Sequence, residues 1–219
     1  MLRIGIIASG RGSNLQCLIN AVEEGRLEVT IELVISDRPG AGALGRAEKH
    51  GIVHALVREN EYATRAEFDA EMIKLLKAHD VELVVLAGFM RVLGPAFIEA
   101  FPERIINIHP ALLPSFPGLN VHRKAIRHGV KFSGCTVHFV DKGLDTGPII
   151  IQAVVPILDN DTEESLGARI LAEEHRILPE AVSLIANKSI EVIDRRVCLK
   201  DKSLINESMA MENPPISIK

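Results

Sequence analysis

Leu2-Arg3-Ile4-Gly5-Ile6-Ile7-Ala8, followed at once by Ser9-Gly10-Arg11-Gly12-Ser13-Asn14, sets an apolar run against a glycine-rich turn. The residues just beyond, Leu15, Leu18, Ile19 and Val22, fall at i, i+3, i+4 and i+7. That is a buried strand feeding an amphipathic helix, the first unit of a parallel sheet covered by helices. The same rhythm predicts strands near 31–36, 53–57, 82–87 and 104–109. A second helix carries Phe68, Met72, Leu75 and Leu76, its start fixed by the capping box Thr64 and Glu67. After residue 130 the rhythm changes. Gly134 to Val140 and Pro148 to Ile157 read as an antiparallel pair joined by Asp141–Gly147. Asp161 with Glu164 is expected to cap a long helix ending near Asn187, and Pro179 to kink or interrupt it. The predicted class is α/β: an open, mostly parallel twisted sheet flanked by helices, with an antiparallel C-terminal portion. One domain is expected over 1–200. The unperiodic residues 201–219, with their Asn-Pro-Pro, are expected to be a flexible C-terminal tail.

Composition narrows the functional classes. Among 219 residues, 25 Lys+Arg stand against 29 Asp+Glu, a net charge of −4, so no broad basic surface for nucleic acid or anionic membrane is expected. The chain is 47% hydrophobic and 25% charged, as in an ordinary globular domain, and its apolar runs are too short to span a bilayer. Cys17, Cys135 and Cys198 are scattered and form no C-x-x-C pair, which suggests neither disulfide framework nor zinc cluster and suits a reducing cytoplasm. No export signal is visible at the N-terminus.

Three segments carry candidate chemistry. The turn at 9–14 offers backbone N–H groups at the positive end of a helix, a natural anion site. It lacks the Gly-Lys-Ser/Thr of a P-loop, and a dinucleotide fingerprint begun at Gly10 would need glycine where Leu15 stands. Ile105-Ile106-Asn107-Ile108-His109-Pro110 puts Asn107 and His109 on one face of a strand end, an amide donor beside an imidazole, suited to a developing oxyanion. Asp145, between Leu144 and the Gly147-Pro148 bend, either points inward beside His109 or makes ordinary local turn bonds, while Asp141 and Lys142 face water. His122 and His138 match no compact metal motif with His109, and His138 reads as a half-buried, hydrogen-bonded histidine.

Ser9 to Asn14, Leu86-Ala87-Gly88-Phe89-Met90-Arg91, Asn107-Ile108-His109-Pro110-Ala111-Leu112-Leu113-Pro114 and the stretch Gly134 to Gly147 together resemble the folate-dependent formyltransferases. The similarity runs from about residue 2 to about 199 and points to the phosphoribosylglycinamide branch, because there the glycine-rich turn holds the acceptor's phosphate. It implies a Rossmann-like formyltransferase fold and transfer of the formyl group of 10-formyltetrahydrofolate to the glycyl amine of a phosphoribosylglycinamide in purine biosynthesis. The implied catalytic trio is Asn107, His109 and Asp145. Gly12, Ser13, Asn14 and Glu174 match the phosphoribosyl site. Arg65, Met90, Arg91, Val92, Leu93, Asn107, Asp141 and Leu144 match the folate side. No metal is implied, and the expected partners are small molecules, with no nucleic acid or membrane, for a cytoplasmic monomer or homodimer. Lys142 and Asn120 depart from residues common at their positions, Lys142 from an acidic or apolar residue and Asn120 from a histidine found in some members. A methionyl-tRNA formyltransferase would be expected to carry a further C-terminal domain, and a formyltetrahydrofolate hydrolase an additional N-terminal one.

Overall fold

The computed structural model describes residues 1–200. The expected tail, 201–219, lies outside the described residues. Strands and helices alternate through β1 (Leu2–Ile7), α1 (Ser13–Glu23), β2 (Val29–Ser36), α2 (Gly42–Lys49), β3 (His54–Leu56), α3 (Arg65–Ala78), β4 (Leu83–Leu86), α4 (Pro95–Ala100) and β5 (Ile105–His109). Then come α5 (Val121–His128), β6 (Phe132–Phe139), β7 (Ile149–Pro156), α6 (Glu163–Ala186) and a separate hairpin of β8 (Ile190–Ile193) and β9 (Arg196–Leu199). That hairpin is absent from the sequence-based expectations, because each strand has only four residues and its exposure alternates weakly.

The main sheet has the order β3-β2-β1-β4-β5-β6-β7, parallel from β3 to β5 and antiparallel across β5, β6 and β7. The chain winds outward from β1 in one direction through β2 and β3, and in the other through β4 and β5. Ligands of such sheets collect beyond the carboxyl ends of strands at that switch. The glycine-rich turn after β1, the segment after β4 and the end of β5 all open there.

Aliphatic side chains fill both faces. Ile4, Ile6, Val85 and Ile106 pack with Leu15 and Leu18 of α1 and Ile170 and Ile177 of α6. Ile7, Ile35, Val84 and Ile105 pack with Phe68 and Met72 of α3 and Phe97 of α4. Phe68 is fully buried, so truncation to alanine costs about 3–5 kcal/mol.

Two helix expectations are corrected. The cap of α6 is Thr162, whose hydroxyl accepts from the Ser165 N–H (3.2 Å) while the Ser165 hydroxyl accepts from the Thr162 N–H (3.0 Å). Asp161 instead accepts from the Leu158 N–H (2.8 Å) and the Ser165 hydroxyl (2.7 Å) and pairs with Arg169, which holds its carboxyl far below the ordinary range. Pro179 does not interrupt α6, which runs unbroken from Glu163 to Ala186. A proline lacks the N–H that would reach the carbonyl four residues back. Here that carbonyl, His175, accepts the Cys17 thiol of α1 at 2.8 Å instead.

Candidate functional site

The turn after β1 is built on Gly12, which caps α1 in the left-handed region at φ 73°. A Cβ there would lie 2.7 Å from the Ala43 Cα, so the position needs glycine both for its dihedral and for the closeness of α2. No side chain caps α1, and the first-turn N–H groups are left to a ligand, as an anion site requires. The Asn14 amide donates to Glu174 Oε2 at 2.8 Å across the α1–α6 interface, and both residues are buried. Burial pushes the Glu174 carboxyl up to about 7, with the Asn14 bond pulling the other way. Asn14 Oδ1 is buried without a partner, a polar atom ready for a donor.

At the end of β5, Asn107 and His109 share the sheet face of Ile105, two residues apart in the strand. The antiparallel register with β6 sets His138 opposite Asn107 and Thr136 opposite His109. His138 is fully buried. Its Nδ1 lies 2.8 Å from the Phe139 carbonyl, an acceptor only, so Nδ1 carries the proton and Nε2 accepts from the Asn107 amide at 3.2 Å. Burial lowers the His138 pKa, consistent with a neutral ring, against smaller raising effects of the Phe139 carbonyl and Asp145.

Asp145 enters from the turn between β6 and β7. The turn folds because the Asp141 carboxylate accepts from the Gly143 N–H (3.0 Å) and the Thr146 hydroxyl (2.6 Å), and because Gly147 admits the Phe139 carbonyl where a Cβ would sit only 1.9 Å from it. Asp145 sits at φ 54° with its side chain largely buried. Its Oδ2 accepts from the Gly118 N–H (2.8 Å) and lies 3.4 Å from His109 Nδ1, while Oδ1 lies 3.8 Å from His138 Nε2. His109 Nε2 is 3.0 Å from the Phe116 carbonyl. The inward alternative for Asp145 is therefore the observed one, whereas Asp141 makes the local turn bonds.

The segment after β4 is tied to the glycine-rich turn by the Met90 N–H, which donates to the Ser9 hydroxyl at 3.2 Å. Met90, Val92 and Leu144 are exposed beside the site, whereas Leu93 is buried in the α3–α4 core. Arg91 donates to Asp37 (2.7 Å) and Glu59, and Arg65 donates to Asp69 (3.0 Å). Both guanidiniums thus sit in a carboxylate cluster, and one nitrogen of Arg65 is buried and unpartnered. Burial alone would raise the Asp37 carboxyl, but bonds from Ser9 and Arg91 outweigh it and hold the pKa below its ordinary value. Of the departures, Lys142 pairs with Glu99 of α4 at 2.9 Å, and Asn120 caps α5 in the left-handed region. Asparagine tolerates that conformation better than most residues.

The structure brings Asn107, His109 and Asp145 together, and separately Asn14 and Glu174. The residue the sequence reading undervalued is His138. The alternation of 134–140 puts it on one face with Thr136, but only the β5–β6 register makes it the neighbour of Asn107.

A model of the formyl transferase family matches residues 2–182. The chain is 36% identical over 211 residues to the phosphoribosylglycinamide formyltransferase of Escherichia coli (strain K12), covering 96% of this chain and all of that one (100%). It is 47% identical over 187 residues to the trifunctional purine biosynthetic protein adenosine-3 of Drosophila melanogaster, covering 84% of this chain but 14% of that protein's length. The crystal structure of glycinamide ribonucleotide transformylase 1 from Symbiobacterium toebii superposes with a TM-score of 0.90 at 50% identity, over 92% of this chain and 95% of that one.

Proposed function

This chain belongs to the formyl transferase family and is a formyltransferase, and on that premise we propose that its donor is 10-formyltetrahydrofolate and its acceptor the glycyl amine of N1-(5-phospho-β-D-ribosyl)glycinamide, in purine biosynthesis. The observation that carries this reading is the junction of His109, Asp145 and Asn107 at the end of β5, on a sheet whose β1 turn ends in an uncapped helix beside the Asn14–Glu174 pair. The amine attacks the formyl carbon, forming a C–N bond and a tetrahedral oxyanion. Collapse breaks the bond to N10 of the folate, while the amine loses a proton and N10 gains one. Asn107, with a second amide hydrogen beyond the one given to His138, donates to the oxyanion. The His109 Nε2–H, held by the Phe116 carbonyl in the free protein, is the second donor. Asp145 stabilises the charged ring and assists proton movement.

The α1 N-terminus with Gly12, Ser13 and Asn14 takes the phosphate, and Glu174 the ribose hydroxyls. Met90, Val92 and Leu144 flank the folate and the buried Leu93 anchors the 90–93 segment in the α3–α4 core, with Asp141 shaping the turn and Arg65 and Arg91 serving its acidic end. The site draws on residues from 9 to 174, in keeping with one formyltransferase unit over 1–200, working in the cytoplasm as a monomer or homodimer on small molecules. Among the described residues no helix is long and apolar enough to cross a membrane. Incubation with donor and acceptor should give formylated ribonucleotide and tetrahydrofolate in equal amounts. Tight acceptor binding without product would leave only a phosphate-binding module.

A further inference from the structure

On the far side of the Asp145 turn lies a groove of about 560 Å³, within the range of small-molecule sites. It contains none of Arg65, Met90, Arg91, Val92 or Asn107 and shares only Leu144 and Asp145 with the proposed catalytic and donor surfaces. Its floor is apolar, from Leu113, Pro117, Ile149 and Val197, and the β8–β9 hairpin brings Arg195 and Arg196 to its rim. Neither arginine has a carboxylate partner among the described residues. Arg195 donates to the Thr146 carbonyl, and no ion pair involves Arg196. The one carboxylate in the wall, Asp145, is committed to Gly118 and His109.

The walls are also held in shape. The Leu113 N–H donates to the Thr136 hydroxyl (3.2 Å), which itself donates to the Ala111 carbonyl (2.7 Å), while Gln152 donates to the Leu113 carbonyl (2.9 Å). A preformed apolar groove with two unneutralised guanidiniums at its edge fits a ligand with an apolar ring body and an anionic end, since guanidinium pairs bidentately with carboxylate or sulfonate.

We propose that the groove between residues 113–117, the 144–147 turn and the β8–β9 hairpin is a second binding site, distinct from the donor side, for an amphipathic organic anion whose charged group meets Arg195 and Arg196. Because Arg195 ties the hairpin to the carbonyl of Thr146, next to Asp145, an occupant braces the turn that carries the carboxylate of the trio.

The probe is the aryl sulfonate 8-anilino-1-naphthalenesulfonate, titrated into the full chain by fluorescence and by ¹H–¹⁵N correlation spectra. One site per chain is expected, with amide shifts confined to residues 113–117, 144–149 and 195–198. The double substitution R195A/R196A should weaken binding by about tenfold or more, the scale of losing charged hydrogen bonds, with the rest of the spectrum unmoved. Arg127→Ala, at an exposed position of α5, should leave binding unchanged. Shifts centred on residues 90–93, equal affinity in the double variant, displacement by p-aminobenzoylglutamate, or no binding at all would each overturn the proposal.

Discussion

Asp145 Oδ2 stands 3.4 Å from His109 Nδ1 and takes the Gly118 N–H at 2.8 Å, while the other ring nitrogen of His109 faces the Phe116 carbonyl at 3.0 Å. Both ring nitrogens therefore meet oxygens that only accept. A ring protonated at both positions satisfies both, and a neutral ring satisfies one. The fold has placed a carboxylate where it holds the orientation of the imidazole.

Asp145→Asn keeps the shape and removes the charge. Turnover should fall by about 10²–10⁴, the range for disabling an acid–base partner, with acceptor affinity changed by less than about threefold. Steady-state rates beside calorimetry check this. A parallel loss of affinity and of melting temperature would mean that Asp145 only holds the turn.

Glu174 gives a pH signature of stability. Its folded pKa, raised by burial to about 7, lies above its ordinary value of 4.5, so the folded protein holds the proton more tightly than the unfolded chain. The stability this confers is complete below pH 4.5 and is lost as pH rises through 7. At about 1.36 kcal/mol per unit the full loss is roughly 3–4 kcal/mol. Glu174→Gln should abolish that decline, so urea unfolding at pH 5 and 8 should show the variant gaining on the wild type with pH. A constant difference would show that Glu174 ionises freely.

Gly12→Ala tests the anion turn. A side chain at φ 73° costs about 1–2 kcal/mol, and the new Cβ presses on Ala43 at 2.7 Å. Phosphate-bearing acceptor should bind about tenfold or more weakly while folate binding holds. Calorimetry with each ligand separates the two, and equal losses would point to a general distortion.

Cys17→Ala removes the donor to the carbonyl left free by Pro179. A buried unsatisfied carbonyl costs about 1–3 kcal/mol. Denaturant midpoints should fall accordingly, and Cys17→Ser, which keeps a donor, should recover part of the loss. With burial lifting its pKa to about 11, the Cys17 thiol should also resist alkylation at neutral pH.

Much of this site was legible from the chain. The strand-turn-helix at 2–22 and the strand ends at 86 and 109 follow from apolar runs that stop at Gly or Pro, because strand ends in a parallel sheet open to ligands. Asn107 and His109 share a face by the strand period alone. The partnership with His138 was not legible, since it depends on an antiparallel register set by pairing 31 residues apart. Nor was the approach of Asp145, which rests on two backbone facts, the left-handed φ of that residue and the close passage of Phe139 over Gly147. The expected break at Pro179 does not occur: α6 runs through it, and the His175 carbonyl that its missing N–H would have met takes the Cys17 thiol of a distant helix.

The most direct measurement is single-turnover formation of formylated ribonucleotide by the wild type and by His109→Ala, with acceptor affinity taken on the same samples. The expected result is product from the wild type, a rate lower by about 10²–10⁴ in the variant, and acceptor binding nearly equal in both. Absence of product from the wild type, or a variant rate within about threefold of it, would contradict the assignment of His109 to the oxyanion.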